Sequence, residues 1–152
     1  MNSVELKFGI PDIDLPCPSG SKVNPASFAG HDLIVLFGPL DPVAAAQEIA
    51  AYGEQIAEFV ASDAWLLAFA DECSGVGGRS RVLTIPDPER HAWVAFRVIT
   101  AHPEEMDRSS GAVFLFTRGG NLHRYWHGSG HVDEIIAELR TSSFHHAHQS
   151  AR

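Results

Sequence analysis

The sequence is poor in cysteine, in positive charge and in long apolar runs, and each shortage excludes a class of protein. Its two cysteines, Cys17 and Cys73, form no CxxC motif and are too few for a disulfide-rich scaffold. With 11 Lys and Arg against 19 Asp and Glu, the formal net charge is -8 and no basic cluster offsets it. Nucleic acid is therefore not an expected partner.

The apolar runs are all much shorter than the roughly 20 residues that a membrane-spanning helix needs. The first residues, MNSVELKFGIPDIDLP, also lack the basic region and apolar stretch of a signal peptide. We therefore expect a cytoplasmic protein with no membrane contact.

The sequence does contain enough apolar residues for one folded domain, since 45% of its 152 residues are hydrophobic. Continuous apolar runs are typical of strands that are covered on both faces. Such patterns predict strands at 32–37 (DLIVLF), 64–70 (AWLLAFA), 81–85 (RVLTI), 112–117 (AVFLFT) and 121–128 (NLHRYWHG). The last two flank Arg118-Gly119-Gly120, which predicts a hairpin turn.

Helical periodicity separates these strands. One helix is predicted over residues 42–60, a second after Asp87-Pro88, and a third that buries Val132, Ile135, Ile136 and Leu139. Strands and helices that alternate, followed by a hairpin and a helix, predict an α/β fold with a central mixed sheet and flanking helices. A flavodoxin-like sheet is the main alternative, but it would not need the late hairpin. We expect one domain over 1–141 and a flexible, His-rich tail over 142–152.

Three stretches together resemble the peroxiredoxin (alkyl hydroperoxide reductase/thiol-specific antioxidant) family. They are GIPDIDLPCPSGSKVNPASFAGHDLIVLF, VLTIPDPERHAWVAFRV and AVFLFTRGGNLHRYWHGSGHVDEIIAELR. The resemblance covers roughly residues 8–140 and implies a thioredoxin-like fold with an N-terminal hairpin and a short helical turn that ends at Gly30.

The resemblance also implies where catalytic residues would stand. The family carries a Thr-Pro-x-x-Cys or Thr-Pro-x-Cys type motif at the start of the helix after the first core strand, and an arginine before the hairpin. Here Asp41 stands at the threonine, Pro42 keeps the proline, and Ala44 stands at the peroxidatic cysteine, or Ala45 in the longer spacing. Gly111 stands at the arginine. The scaffold matches, and the catalytic set is degenerate.

An aspartate at position 41, where the family has a threonine, has a physical consequence. A thiolate on the first turn of a helix is stabilised by free amides and by the helix dipole. A carboxylate at Asp41 would occupy those amides and would raise the pKa of a nearby thiol. An equally good interpretation is that Asp41-Pro42 is simply a helix cap. Arg108 lies three residues before Gly111 and is the nearest arginine in the sequence on that side.

Cys73 is the alternative candidate for a catalytic thiol. It follows the strand at 64–70, in ADECSGVGG, and loops at the carboxyl ends of parallel strands line the site of an open α/β sheet. Arg79 and Arg81 would favour a thiolate if the loop folds back, whereas Asp71 and Glu72 would disfavour it. Pairing of Cys73 with Cys17 stays open.

Nine histidines are many for this length, and His145, His146 and His148 cluster in the tail. A frayed tail holds no fixed geometry, so we expect no metal site and no cofactor; a His-based metal protein is the third alternative.

The leading prediction is a peroxiredoxin-like protein that has lost the catalytic cysteine and acts as a non-catalytic binding, assembly or regulatory protein. Its partner would be an unidentified protein or small molecule. The second is a thiol oxidoreductase or weak peroxidase that works through Cys73. We also expect a homodimer, because such chains commonly dimerise and because Trp126 and Phe144 lie on or beside loops.

Overall fold

The computed structural model describes residues 9–16, 20–70, 81–87, 89–100 and 102–150, with side chains as far as residue 141. Its strands are β1 (Leu15–Pro16), β2 (Lys22–Val23), β3 (Asp32–Phe37), β4 (Ala64–Ala70), β5 (Val82–Pro86), β6 (Ala112–Phe116) and β7 (Leu122–His127). Its α-helices are α1 (Pro42–Gly53), α2 (Ile56–Ser62), α3 (His91–Arg97) and α4 (Val132–Ser150). Short 3₁₀ helices cover Pro25–Phe28 and Pro103–Glu105.

A five-stranded mixed sheet in the order β5-β4-β3-β6-β7 forms the centre of the fold. Strand β3 pairs parallel with β4 and antiparallel with β6, and β6 and β7 form the predicted hairpin. Strands β1 and β2 form a separate antiparallel hairpin, and the 3₁₀ turn after it leads to Gly30, which has a φ of 104°. The predicted α/β fold, with its mixed sheet and N-terminal hairpin, is confirmed.

The sheet separates two apolar clusters because its central strands are buried on both faces. On one face, α1, α2 and α4 cover a mainly aliphatic cluster that includes Ile34, Leu66 and Ile135. On the other, α3 and the N-terminal hairpin cover an aromatic cluster in which the rings of Phe37 and Phe69 stack 5.0 Å apart. Such burial is the main source of the fold's stability.

The helix boundaries correct two predictions. The helix predicted over 42–60 is two helices, because the chain turns at Glu54 and Gln55 after Gly53, a residue of low helix propensity. Because α2 is a separate helix, its side chains point in different directions from those that one continuous helix would give. Val60 is therefore more than half exposed, although the pattern of a single helix placed it on the buried face.

The helix expected directly after Asp87-Pro88 begins instead at His91, and Pro88 lies outside the described residues. The last helix continues to Ser150 and so includes most of the segment predicted to be a flexible tail. The flexibility of that segment stays a prediction.

Each of the three tryptophans has an arginine guanidinium over its ring. The pairs are Arg81 over Trp65 at 5.2 Å, Arg108 over Trp93 at 5.8 Å, and Arg124 over Trp126 at 4.7 Å. Trp126 is only 6% exposed and belongs to the core, so it does not supply the apolar surface that the sequence argument for a dimer attributed to it.

Among the described residues, no helix is both long and apolar enough to cross a membrane.

Candidate functional site

The candidate site lies where β3 and β4 end. The two strands are parallel, so Phe37 and Phe69 are paired neighbours, and the amide of Gly38 donates to the carbonyl of Phe69 at 3.0 Å. The loop 38–41 then leads directly into α1. This is the edge at which an open α/β sheet ordinarily holds its ligands.

The start of α1 is closed by its own cap. Asp41 is the N-cap residue, Pro42 occupies the first helical position, and an Asp41 carboxylate oxygen accepts from the amide of Ala44 at 3.0 Å. This bond uses one of the amides that a helix N-terminus otherwise offers to an anion. The predicted cap is confirmed.

The two candidate positions for the missing thiol differ in their surroundings. Ala44 is partly exposed on the first turn. Ala45 is 4% exposed in the aliphatic cluster, and its Cβ lies 3.0 Å from the position that a Cβ on Gly38 would occupy. A side chain at position 44 is therefore more exposed than one at position 45.

Gly111 lies against the same loop with no room for a side chain. Its φ is 84°, a conformation that favours glycine. A Cβ there would lie 2.6 Å from the carbonyl oxygen of Phe37 and 3.1 Å from the nitrogen of Pro39, and both are backbone atoms. The position that the resemblance aligns with an arginine is thus closed to any side chain in this conformation.

Arg108 brings a guanidinium to this region from the turn before Gly111. It is 6% exposed, and its Nη1 donates to the carbonyl of Gly38. The guanidinium carbon lies 5.7 Å from the ring centre of Phe37 and 5.8 Å from that of Trp93, distances typical of cation–π contacts. The amide of Leu40 also donates to the carbonyl of Ser109 at 3.1 Å, so the loop and the turn are joined.

Asp87 closes the start of α3 on the β5 side of the sheet. Its buried carboxylate accepts from the amides of Ala92 and Trp93, both at 3.1 Å. The Asp87-Pro88 pattern indicates a helix start, but no local pattern shows that the helix begins only at His91. The hydrogen bonds fix Trp93, whose ring contacts Arg108.

A cavity of about 280 Å³ opens beside Gly111. Its lining consists of Glu105, Asp107, Ser110, Gly111, His127 and Gly128. Hydrogen bonds from the hydroxyl and amide of Ser109 and from the hydroxyl of Ser110 lower the pKa of Asp107. Asp107 therefore stays ionised at neutral pH and contributes negative charge to the cavity.

Comparison with solved structures identifies the fold of this chain. Neither a protein-family model nor a curated protein matches the sequence. Solved structures do match. The bacterioferritin comigratory protein of Xanthomonas campestris, described by its alkyl peroxide reduction activity, is 20% identical with a TM-score of 0.69. The match covers 88% of this chain and 92% of that one. The chain has the peroxiredoxin fold.

Two further peroxiredoxins have structures similar to that of this chain. Peroxiredoxin Q of Xanthomonas campestris is 18% identical with a TM-score of 0.69, over 88% of this chain and 93% of the other. The mitochondrial 2-Cys peroxiredoxin of Plasmodium falciparum is 15% identical with a TM-score of 0.62, over 93% and 96%. At these identities the likeness extends to the thioredoxin-like peroxiredoxin fold and not to activity.

The structure brings Asp41, Ala44, Gly111 and Arg108 to one edge of the sheet. Cys73, the alternative catalytic thiol, lies outside the described residues, as does Cys17, so their roles and their pairing stay predictions. Of the arginines considered beside Cys73, Arg79 is likewise outside, and Arg81 donates to a carboxylate oxygen of Asp63 at 2.8 Å.

Within the described part of the chain, one group of possible metal ligands comes together, at the 3₁₀ turn. His102, Glu104 and Glu105 place their ligand atoms within 4.8 Å of one another, and all three are exposed. The histidines of the tail have no described side chains.

Proposed function

We propose that this chain is a non-catalytic binding protein built on the peroxiredoxin fold. The observation that carries the proposal is Gly111, where backbone atoms of the loop at Phe37 and Pro39 exclude a side chain. An arginine at the aligned position would stabilise the charge that moves onto oxygen when a peroxide bond breaks. Ala44 and Ala45 supply no thiol, and Asp41 already occupies the amide of Ala44.

The cavity beside Gly111 is the proposed ligand site. Glu105 and Asp107 give it negative charge, and Ser110 and His127 add hydrogen-bonding groups. A lining with two carboxylates favours a positively charged group, such as an amine or a guanidinium of a small ligand or of a partner's side chain.

The first test is peroxide consumption by the full chain with dithiothreitol as the reductant. We expect turnover far below about 1 per second, the lower end of ordinary enzyme rates. The Cys73→Ser and Cys17→Ser variants are measured beside it. Turnover at enzyme rates that disappears only in Cys73→Ser would contradict the proposal and would support the thiol oxidoreductase.

The second test concerns the ligand site and uses putrescine as a cationic probe and acetate as an anionic one. Putrescine, and not acetate, should shift the amide resonances of Gly111 and Gly128. Glu105→Gln should weaken this binding, whereas Glu104→Gln, which changes a neighbouring exposed glutamate outside the cavity lining, should not. Equal shifts with both probes would count against a cation-selective cavity.

One observation supports the alternative function, a thiol oxidoreductase that works through Cys73. Strand β4 ends at Ala70 beside the candidate site, and Cys73 follows three residues later in the sequence. This favours Cys73 as the thiol if any activity is found.

We also propose a homodimer. Val94 and Val98 on the α3 side are 55% and 57% exposed and lie about one helical turn apart, so they offer an apolar pair in place of the buried Trp126. Light scattering at micromolar concentration tests this, and a monomer would contradict it.

A further inference from the structure

His131 joins the end of β7 to the start of α4 through both nitrogens of its ring. Its Nδ1 lies 2.8 Å from a carboxylate oxygen of Glu134, and its Nε2 lies 2.7 Å from the backbone carbonyl oxygen of His127. A carbonyl and an ionised carboxylate can only accept hydrogen bonds. A neutral imidazole carries one N–H and would satisfy one of the two partners, whereas an imidazolium satisfies both.

If its carboxylate is ionised, Glu134 can only accept a hydrogen bond from His131, and its surroundings favour the ionised form. The hydrogen bond with His131 lowers the pKa of Glu134, burial opposes that change, and the bond from Trp126 supports it. In that second bond, Nε1 of Trp126 donates to the other carboxylate oxygen at 3.1 Å. Glu134 is therefore not the proton donor in its contact with His131.

The charged groups around His131 come from three elements: α4, which carries Glu134, α1 and β7. From α1, the Glu48 carboxylate accepts from the amide of Gly130 at 3.0 Å. From β7, Arg124 lies over the ring of Trp126 and lowers the pKa of Glu134. Tyr52, also on α1, is fully buried, and burial with the charges of Glu48 and Glu134 raises its pKa, so it stays neutral.

Burial of the ring disfavours the charged form of His131, but the other influences outweigh it. The hydrogen bond of Glu134, that of the His127 carbonyl and the charges of Glu134 and Glu48 together raise the pKa of His131. The titration of His131 therefore lies above the ordinary histidine value of about 6.5.

We propose that His131 is a proton-dependent latch, whose imidazolium ties the carbonyl of His127 to Glu134 and so fixes the turn 128–131. The turn reaches the cavity through Gly128, which lines it together with His127 and whose amide donates to the carbonyl of Gly111 at 2.9 Å. Loss of the proton removes one of the two hydrogen bonds and loosens the turn. The inference rests on hydrogen-bond geometry and is independent of the proposed ligand.

The sign of the effect follows from the direction of the pKa change. A group whose pKa is raised by folding stabilises the folded form below its unfolded value, and this stabilisation is lost as the pH rises through the folded value. The latch is thus closed at pH ~6 and opens as His131 titrates above ~6.5.

The test is a pH titration of the full chain by NMR, which follows the ring nitrogens of His131 and the amide exchange of Gly128 and Gly130. We expect an imidazolium at pH ~6.5. After correction for intrinsic exchange, we expect about tenfold faster exchange of the two amides, relative to Gly120, once His131 is neutral. A neutral ring at that pH, or amide exchange that ignores the titration of His131, would overturn the latch.

Variants separate the latch from a merely structural contact. Glu134→Gln should lower the pKa of His131, and His131→Gln should remove the pH-dependent step in amide exchange. His123→Gln is the matched control, because His123 pairs with Glu138 between the same strand and helix but outside the turn. A step that persists in His131→Gln would contradict the proposal, and the wild-type titration decides the matter if that variant does not fold.

Discussion

The close approach of Gly111 to the loop after β3 can be tested by adding one methyl group. In Gly111→Ala, the left-handed backbone costs an L-residue about 1–2 kcal/mol. The new Cβ would also lie 2.6 Å from the Phe37 carbonyl oxygen, a backbone atom that can yield only if β3 or its loop shifts. Overpacking of this kind typically costs about 1–3 kcal/mol, so we expect a total loss of roughly 2–5 kcal/mol.

Gly120→Ala supplies the matched control. Gly120 has a φ of 87°, almost the same as the 84° of Gly111, but its added Cβ would meet only the Ala29 side chain, at 3.9 Å. Both variants carry the backbone cost, so their difference isolates the steric contribution. We expect Gly111→Ala to be the less stable by about 1–3 kcal/mol.

The assay is urea unfolding of the two variants and the wild type, with melting temperatures as a second measure. For a chain of this size each kcal/mol corresponds to about 2–4 °C. If Gly111→Ala proves no less stable than Gly120→Ala, the loop does not exclude a side chain at 111. An arginine could then stand at position 111, and Gly111 would no longer support a non-catalytic function.

Three further outcomes are expected. Removing the cap in Asp41→Ala should cost about 1 kcal/mol in urea unfolding, and Asp41→Asn should retain most of the stability; equal losses would contradict a capping role. In a Cys-free background, a cysteine in Ala44→Cys should react faster with a maleimide than one in Ala45→Cys, since position 45 is buried; the reverse order would refute the difference in exposure. The Arg81 hydrogen bond, opposed by burial and aided by a contact with histidine, lowers the pKa of Asp63. The stability that Arg81→Met removes should therefore be present above pH ~3.9 and should vanish as the pH falls through the lowered pKa; a difference that persists in acid would argue for packing instead.

Sequence patterns predicted the central strands well because these strands are buried on both faces. The ranges 32–37 and 64–70 match β3 and β4 residue for residue, because a continuous apolar run of six or seven residues is too short for a typical helix and is typical of a strand covered on both faces. The helix over 42–60 failed for the opposite reason. Ile56 and Phe59 continue an apolar spacing across the turn at Glu54, and periodicity does not register a two-residue interruption.

The candidate site was only partly predictable. The resemblance located Asp41, Ala44 and Gly111, and the cap at Asp41 follows from local chemistry. The closure at Gly111 depends on how β6 pairs with β3, which no local pattern contains. Arg108 was noted only by its distance from Gly111, because arginine is ordinarily exposed and its burial against Phe37 and Trp93 is a tertiary property.

The placement of the tryptophans gives the protein three built-in optical reporters. Trp65 lies in β4, Trp93 beside the candidate site and Trp126 beside the turn 128–131, each with a positive charge over its ring. Because the electrostatic environment of each indole depends on a different arginine, the emission of each responds to a different part of the molecule. Variants that keep one tryptophan and replace the others with phenylalanine would show separately whether a ligand, a proton or a second copy of the chain acts on the candidate site, the turn 128–131 or β4.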